Sequence, residues 1–543
     1  MADIYEPRFL LASLHIETIL RSTTVARRRK TLKSIKDGVG LGDAYSATLE
    51  RIKAQDEERA ILAMAALMWI CYSERPLQAD ELCQALAVEI GETDFDPENI
   101  PSIGTLLDYC QGLITVDAEA STVRLIHYTV QEYLCSRPGL FSKPHSILAE
   151  TCLTYLNSRQ VKNLTSHPLS DHGSMPFLKY CARYWGTHAN KELSDNARTL
   201  ALALMNQYQD HISAVPLLEQ VLRPHIIGDI ATSPLFSGLH CASFFGIVEL
   251  VTVLINAESH EVDQQDCIGR TPLAWAARKG HEGVVKVLLE RENVDPNRPD
   301  KYGQTPLAQA AIEGHEGMVK LLLEQANADP NRLTKNGRTL LGYAAIEGHE
   351  GVVKLLLERE DVDPNRPDTN GRTPLAHAAI NGHEGVVKLL LGREDVDPNR
   401  PNENDRTPLG SAAIAGHEGV VKLLLGREDV DPNRPDMDDR TPLACTAIEG
   451  HEGVVKLLLE RGNVDPNRPG KYGRTPLVIA AIKGHEGVVK LLLERGDVDL
   501  NRSDNYGSTP LSYATSEGHG RVIRLLQARK SVETPVAPLP HQL

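Results

Sequence analysis

Thr305-Pro306-Leu307-Ala308-Gln309-Ala310-Ala311-Ile312-Glu313-Gly314-His315-Glu316-Gly317-Met318-Val319-Lys320-Leu321-Leu322-Leu323-Glu324 spells two short helices back to back. Thr305 can cap a helix N-terminus, and Pro306 suits the first helical position because its missing N–H has no partner there anyway. Gly314 ends the helix about two turns on. Glu316 opens the second helix, where its carboxylate meets the positive end of the dipole four residues before Lys320, the favourable order for an ion pair. Met318-Val319 and Leu321-Leu322-Leu323 supply its buried side. Tyr302-Gly303 before the stretch and Asp329-Pro330-Asn331 after it read as extended fingers that reverse at glycine, which tolerates positive φ. The starting threonine recurs every 34 residues, at Thr271, Thr305, Thr339, Thr373, Thr407, Thr441, Thr475 and Thr509, and a degenerate ninth copy begins at Ser237. One such unit cannot bury its own apolar face, so copies at this spacing must stack into a solenoid with polar ends. Residues 233–532 therefore form one array, more than half of the 543-residue chain.

These nine copies resemble the ankyrin repeat closely. The resemblance implies a structural role for the histidine after each loop glycine, and a concave groove bordered by first helices and finger tips. The copies also depart from the family pattern. Its frequent histidine, three residues after the threonine, is alanine at 274, 308, 376 and 444 and survives only as His240. Thr339-Leu340 lacks the proline, and Asp405 and Asp439 replace the tip glycine, so these copies are expected to be the least stable. Arg521, Arg524, Arg529 and Lys530 mark the last second helix as a solvated end. Residues 533–543, where Pro535 to Pro538 matches PxxP, are expected to form a disordered tail.

Composition excludes other classes. With 41% hydrophobic and 24% charged residues the chain is neither wholly disordered nor fibrous. A net charge of -15, acidic in both halves, does not suit a polyanion, so no nucleic-acid partner is expected. Nine scattered cysteines without a CxxC pair fit reduced thiols in a cytosolic protein. The start has no basic n-region, and the longest apolar run, Ile61 to Tyr72, is too short for a membrane span. The sequon at Asn163 has no secretory context, and Arg27-Arg28-Arg29-Lys30 reads as a solvated face rather than a nuclear address. The cytoplasm is the expected location, with the nucleus second.

No enzyme site assembles. Histidines 281, 315, 349, 383, 417, 451, 485 and 519 invite a metal array, but stacked helices lie about 8–10 Å apart while ligands of one zinc each sit about 2 Å from it. Asp361-Val362-Asp363-Pro364-Asn365 begins like a calcium loop, yet Arg366 and Arg372 stand where an EF-hand needs Gly and Glu. Gly470-Lys471 precedes Tyr472 and lacks the upstream glycine of a phosphate loop; GxSxG, HExxH, HxE with CxxC, and GxGxxG are absent as well. No cofactor and no metal are expected.

In the first half, Glu57 to Tyr72 reads as a buried helix, Leu77 to Leu86 as a second and Ser102 to Tyr109 as a third. Leu113 to Asp117 and Thr122 to Ile126 form two short runs around a turn. Three helices and a hairpin make a winged helix, here over 56–136. A DNA reader needs basic residues on its third helix, but residues 101–112 contain Asp108 and no Lys or Arg, so protein packing is the expected use. Arg75-Pro76-Leu77, Gly112-Leu113-Ile114 and His127 to Leu134, with Arg8 to His15 and Tyr45 to Arg51, resemble the winged helix that follows the NACHT module in fungal NLR-like (STAND) NACHT–ankyrin proteins. That domain is sometimes labelled after a GPI inositol-deacylase, which implies no hydrolase here. Pro176 to Tyr180 and Tyr184-Trp185-Gly186 extend the likeness into a helical connector, 137–232. Residues 1–55 resemble only the last helices of the NACHT module, so nucleotide switching is not carried over. A shortened paralogue and a truncated product both remain open. His127 is expected to be a core or hinge histidine.

The fold class is therefore mostly α: a winged helix and connector followed by an ankyrin solenoid. The expected function is a non-enzymatic scaffold that binds a protein partner in the groove. The rival is a regulatory piece of a nucleotide-driven sensor working with an NTPase in trans or encoded upstream; a DNA-binding regulator is a weak third. Near-identical copies isolate the positions that vary. Four after each threonine stand Trp275, Gln309, Tyr343, His377, Ser411, Cys445, Ile479 and Tyr513, and eight after stand Lys279, Glu313, Glu347, Asn381, Ala415, Glu449, Lys483 and Glu517. Spaced by four, the two sets are expected to share a groove-facing helix face. The finger tips carry Ile268, Tyr302, Asn336, Asn370, Asn404, Asp438, Tyr472 and Tyr506, with Met437, Lys301, Lys335 and Lys471 beside them. Trp275, Tyr302, Gln309, Tyr343, His377, Met437, Tyr472, Tyr506 and Tyr513 are the candidate contacts, and Lys286, Lys354 and Lys388 on the nearly constant second helix are the controls.

Overall fold

The structure is a computed structural model that describes residues 24–26, 29, 41–137, 139–164, 175–219, 235–257 and 261–533. The Arg8 to His15 stretch, most of the basic run at 27–30, the last residue of the sequon and the PxxP match lie outside the described residues. The chain is mostly α and divides into two compact units, 1–272 with 286–293, and 273–285 with 294–543.

In the first unit, α1 (Leu41–Lys53) precedes α2 (Glu57–Tyr72), whose N-terminus is capped by the Asp56 side chain accepting from the Arg59 N–H. Leu77–Gln78 is a strand, β1, and not the start of a helix as expected; α3 is Ala79–Leu86. Two forces move the boundary. Leu77 is buried as it pairs with Val123. Glu81, clasped by both arms of the Arg75 guanidinium at 2.7 and 2.6 Å, reaches back to the Gln78 N–H at 2.9 Å and closes the helix there. Ser102 caps α4 (Ile103–Tyr109), and β2 (Ile114–Val116) and β3 (Thr122–Leu125) form the wing, giving an antiparallel sheet of order β1-β3-β2. His127, expected to be a core or hinge residue, is half-buried and caps α5 (Tyr128–Cys135), its Nδ1 accepting from the Thr129 N–H at 3.3 Å.

The connector contributes α6 (Pro144–Asn157), α7 (Leu178–Lys191) and α8 (Asp195–Met205). It shares a core with the winged helix. Trp69 meets Phe177 and Tyr180 with ring centroids 5.4 and 5.8 Å apart, and the buried Gln84 carboxamide oxygen accepts from the Tyr155 hydroxyl and the Phe177 N–H. The first copy, helices Gly238–Phe245 and Val248–Asn256, packs on α7 through the Phe245 ring, which lies so close to Gly186 that a Cβ there would overlap it.

The second unit repeats one design. From Thr305 on, each first helix is capped by its threonine hydroxyl accepting from the N–H three residues on, as Thr305 does from Ala308 at 3.2 Å. Thr339 keeps this cap without the proline. The loop histidine donates its Nε2–H to a carbonyl 37 residues upstream, His349 to Ile312 at 2.9 Å and His383 to Ile346 at 2.8 Å, and so staples each copy to the one before. The Asp-Pro-Asn segment works in the opposite direction: the Asn365 carboxamide donates to the Asp395 carbonyl at 2.6 Å and accepts from the Asp397 N–H at 2.8 Å. Nothing in the sequence alone pointed to that clamp.

Candidate interaction face

Most fingers are folded by one buried Asp or Asn side chain five residues before the threonine. The Asp300 Oδ1 accepts from the N–H groups of Tyr302 and Gln304, both at 2.9 Å, and Asp368, Asn402, Asp436 and Asp504 repeat the arrangement. Successive tips are then joined by backbone bonds: Lys335 N–H to Tyr302 carbonyl, Thr369 to Asn336, Glu403 to Asn370, Met437 to Asn404, Lys471 to Asp438 and Asn505 to Tyr472, at 3.0 to 3.2 Å. The result is a row of tips joined through their backbone. Tyr302, Met437, Tyr472 and Tyr506 stand 41, 60, 51 and 68% exposed on it. Exposed apolar side chains held on an ordered backbone are what a binding surface offers.

The other half of the candidate set is corrected. Trp275, Gln309, Tyr343 and His377 are buried, as are Ser411, Cys445 and Ile479, and Tyr513 is half-buried. These side chains do not share a solvent face with the set four residues further on, where Glu313, Glu347, Asn381, Ala415, Glu449, Lys483 and Glu517 are exposed. The reason is the finger. It folds back over the start of its own helix, so the position four after the threonine meets the finger's polar residue nine positions upstream, while the helix end lies beyond its reach. Gln309 donates to Asp300 Oδ2 at 3.1 Å, His377 Nε2 to Asp368 Oδ2 at 3.0 Å, and the Tyr513 hydroxyl to Asp504 Oδ2 at 2.7 Å. Burial holds His377 below its ordinary pKa despite Asp368, so the ring is the neutral donor of that pair. Burial pushes the Asp504 pKa up, but the Tyr513 hydroxyl, two backbone N–H groups and Arg474 outweigh it and keep the acid below its ordinary value.

A second set of ion pairs runs between copies. Arg338, Arg406 and Arg474, each just before its threonine, place Nε 3.6, 3.4 and 3.4 Å from the finger acid of the following copy, Asp368, Asp436 and Asp504. Arg440 has no such acid to meet, because Gly470 occupies that place. It turns back onto Asp436 at 3.4 Å and onto Asp438. The helix residue opposite Gly470 is the apolar Ile479, where sister copies have Gln309, His377 or Tyr513. Two side chains are thus exchanged together, and a cleft of about 370 Å³ opens between Asp438, Arg440, Gly470, Lys471, Tyr472, Arg474 and an isoleucine floor of Ile448, Ile479 and Ile482, with Lys483 at its edge. Sequence reasoning missed this place. The signal was the paired departure of Gly470 and Ile479 from the other copies, legible only once the two positions are known to touch.

Segments 239–334, 325–402, 385–470 and 462–534 match the family described as ankyrin repeats (3 copies), and 49–143 match the one described as GPI inositol-deacylase, winged helix domain. The azaphilone pigments biosynthesis cluster protein L of Monascus ruber is 24% identical over 205 residues, covering 32% of this chain and 43% of that protein. The chain spans less than half the length of that relative.

Proposed function

Because the chain belongs to the ankyrin-repeat family, which accounts for more than half of it, we propose that its second unit is a non-enzymatic binding module for a protein partner. The finger-tip row and the exposed ends of the first helices are the face that makes contact. One observation carries this reading: a hydrogen-bonded row of tips presenting Tyr302, Met437, Tyr472 and Tyr506 to solvent. The winged helix serves as a packing adaptor, since its third helix carries no Lys or Arg, and its work is done in the cytoplasm without metal, cofactor, nucleic acid or membrane. Affinity capture with mass spectrometry supplies the partner. Truncating Tyr302, Tyr472 and Tyr506 to Ala is then expected to weaken it by roughly 1–3 kcal/mol each, while Lys286→Ala, Lys354→Ala and Lys388→Ala leave it unchanged. Equal losses from both sets sink the reading.

The winged-helix match at 49–143 favours a second reading, in which this chain is the regulatory part of an NLR-like assembly whose NTPase is encoded elsewhere. Nucleotide-dependent co-purification of an NTPase with the full chain separates it from the first.

A further inference from the structure

Resting on the reading above, we propose that the cleft beside Gly470 receives a carboxylate side chain from an acidic segment of the protein partner, with a neighbouring apolar side chain of that segment lying on Ile448, Ile479 and Ile482. The argument is one of a missing group. In three sister pairs an aspartate stands at this finger position and an arginine in the copy before it, and the guanidinium lies within ion-pair distance of the acid, at Asp368, Asp436 and Asp504. Arg440 reaches the corresponding place and finds a glycine. It keeps its ion pairs within its own copy, with Asp436 and Asp438, and the cleft lies beside the glycine where the sister copies carry a carboxylate. The finger itself does not collapse: Gly470 N–H still bonds the Arg474 carbonyl at 3.0 Å, and the tips on either side stay joined at 3.0 Å. The cleft is therefore bounded by a finger whose backbone bonds are intact.

Charge and shape select the occupant. Arg440, Lys471, Arg474 and Lys483 line the cleft; Arg440 is paired with Asp436 and Asp438 and Arg474 with Asp504, so Lys471 and Lys483 supply the positive charge that faces an incoming group, in a chain whose net charge is -15. An anion is drawn to this spot and repelled by most of the rest of the surface, which gives specificity and register along the face. The isoleucine floor adds a demand that a free inorganic anion does not meet. Tyr472, 51% exposed with the Arg474 guanidinium 5.7 Å from its ring centroid, places an aromatic wall beside the entrance.

The sister copies also supply the test. A Cβ at Gly470 would make only ordinary contacts, the nearest atoms being Arg440 Cγ and the Asp438 carbonyl oxygen at 3.4 Å, so Gly470→Asp is tolerated and fills the slot with the chain's own carboxylate. Short random peptides displayed on phage are selected on the full chain and counter-selected on the Gly470→Asp chain. The expected result is a consensus pairing Asp or Glu with an adjacent apolar residue. Synthetic peptides of that consensus should lose roughly tenfold in affinity on Gly470→Asp, on Lys471→Glu and on replacing their acid by its amide, and should bind more weakly as salt rises. Unchanged melting of the variants shows that they are folded. A consensus without an acid, displacement by inorganic phosphate alone, or no peptide that discriminates against Gly470→Asp overturns the proposal. Peptides that ignore Gly470→Asp but are lost with Tyr302→Ala and Tyr506→Ala overturn the cleft while leaving the tip row as the binding face; peptides indifferent to all of these variants overturn both.

Discussion

Asp405 and Asp439 hold φ at +57° and +55°, where the other tips of the second unit place glycine. A left-handed backbone costs a residue with a Cβ roughly 1–2 kcal/mol, less for Asp, and the gain from glycine is partly offset by its greater freedom in the unfolded chain. Asp405→Gly and Asp439→Gly are each expected to raise stability by about 0.5–1 kcal/mol, read as a higher denaturation midpoint. A lower midpoint would show that the aspartates contribute a local bond worth more than the strain. The Asn365 clamp sets a contrasting case. Asn365→Ala removes two cross-copy hydrogen bonds at 2.6 and 2.8 Å and is expected to cost about 1–3 kcal/mol, although the side chain lies at the surface. Urea unfolding of Asn365→Ala beside a substitution at the exposed Glu358 distinguishes the clamp from ordinary surface tolerance.

At the scale of the element, α7 shows how one glycine decides a contact. Gly186 allows the Phe245 ring of the first copy to reach the helix backbone, beside Trp185 at 5.1 Å. Gly186→Ala gains helix propensity but drives a methyl group into that ring, and the second effect is larger: a net loss of roughly 1–3 kcal/mol is expected from overpacking. The measurement is thermal melting; a more stable Gly186→Ala would mean that the ring moves aside freely. Along the array, each copy holds its neighbours by the loop histidine, the asparagine clamp and the tip bonds. Local opening should therefore follow the quality of those links. Hydrogen exchange is expected to be faster across 402–441, which carries both left-handed aspartates, than across 300–338. Equal protection would count against tip strain as the weak point.

Across the whole molecule, buried histidines make the first unit sensitive to acid. Burial, with His145 and Lys191 nearby, lowers the pKa of His188 to about 3, and burial lowers that of His211 to about 4. Both are neutral in the folded chain where the unfolded chain already binds protons, so the unfolded state gains protons first as pH falls from about 6.5. Stability is complete above that value and declines by roughly 1.4 kcal/mol per pH unit for each group until its folded pKa is reached. Denaturation of the first unit near neutral pH and near pH about 5, where the paired aspartates are still ionised, is expected to show a lower midpoint at the acid value. Equal midpoints would contradict the burial argument.

The period of 34 residues, the Thr-Pro start and the Gly-His loop stand in the sequence because they are local devices: a cap, a fixed φ and a left-handed turn act within a few residues of themselves. From them followed the α-solenoid and its helix pairs, and the same kind of local signal placed α2 and α4 in the first unit. The start of α3 was not legible, because Leu77 answers to Val123 across a sheet and Glu81 to Arg75 through a bidentate pair. Tyr302, Tyr472 and Tyr506 were readable as exposed tips, but Ile268, read as a tip in the same way, is buried. The side chains four after each threonine were not readable: helical spacing grouped them with the exposed helix ends, whereas the returning finger covers them and bonds them to an acid nine residues earlier. Likewise Gly470 and Ile479 are unremarkable as single letters. Only the tertiary structure puts them face to face, leaves Arg440 without its neighbour's carboxylate, and turns two substitutions into a cleft.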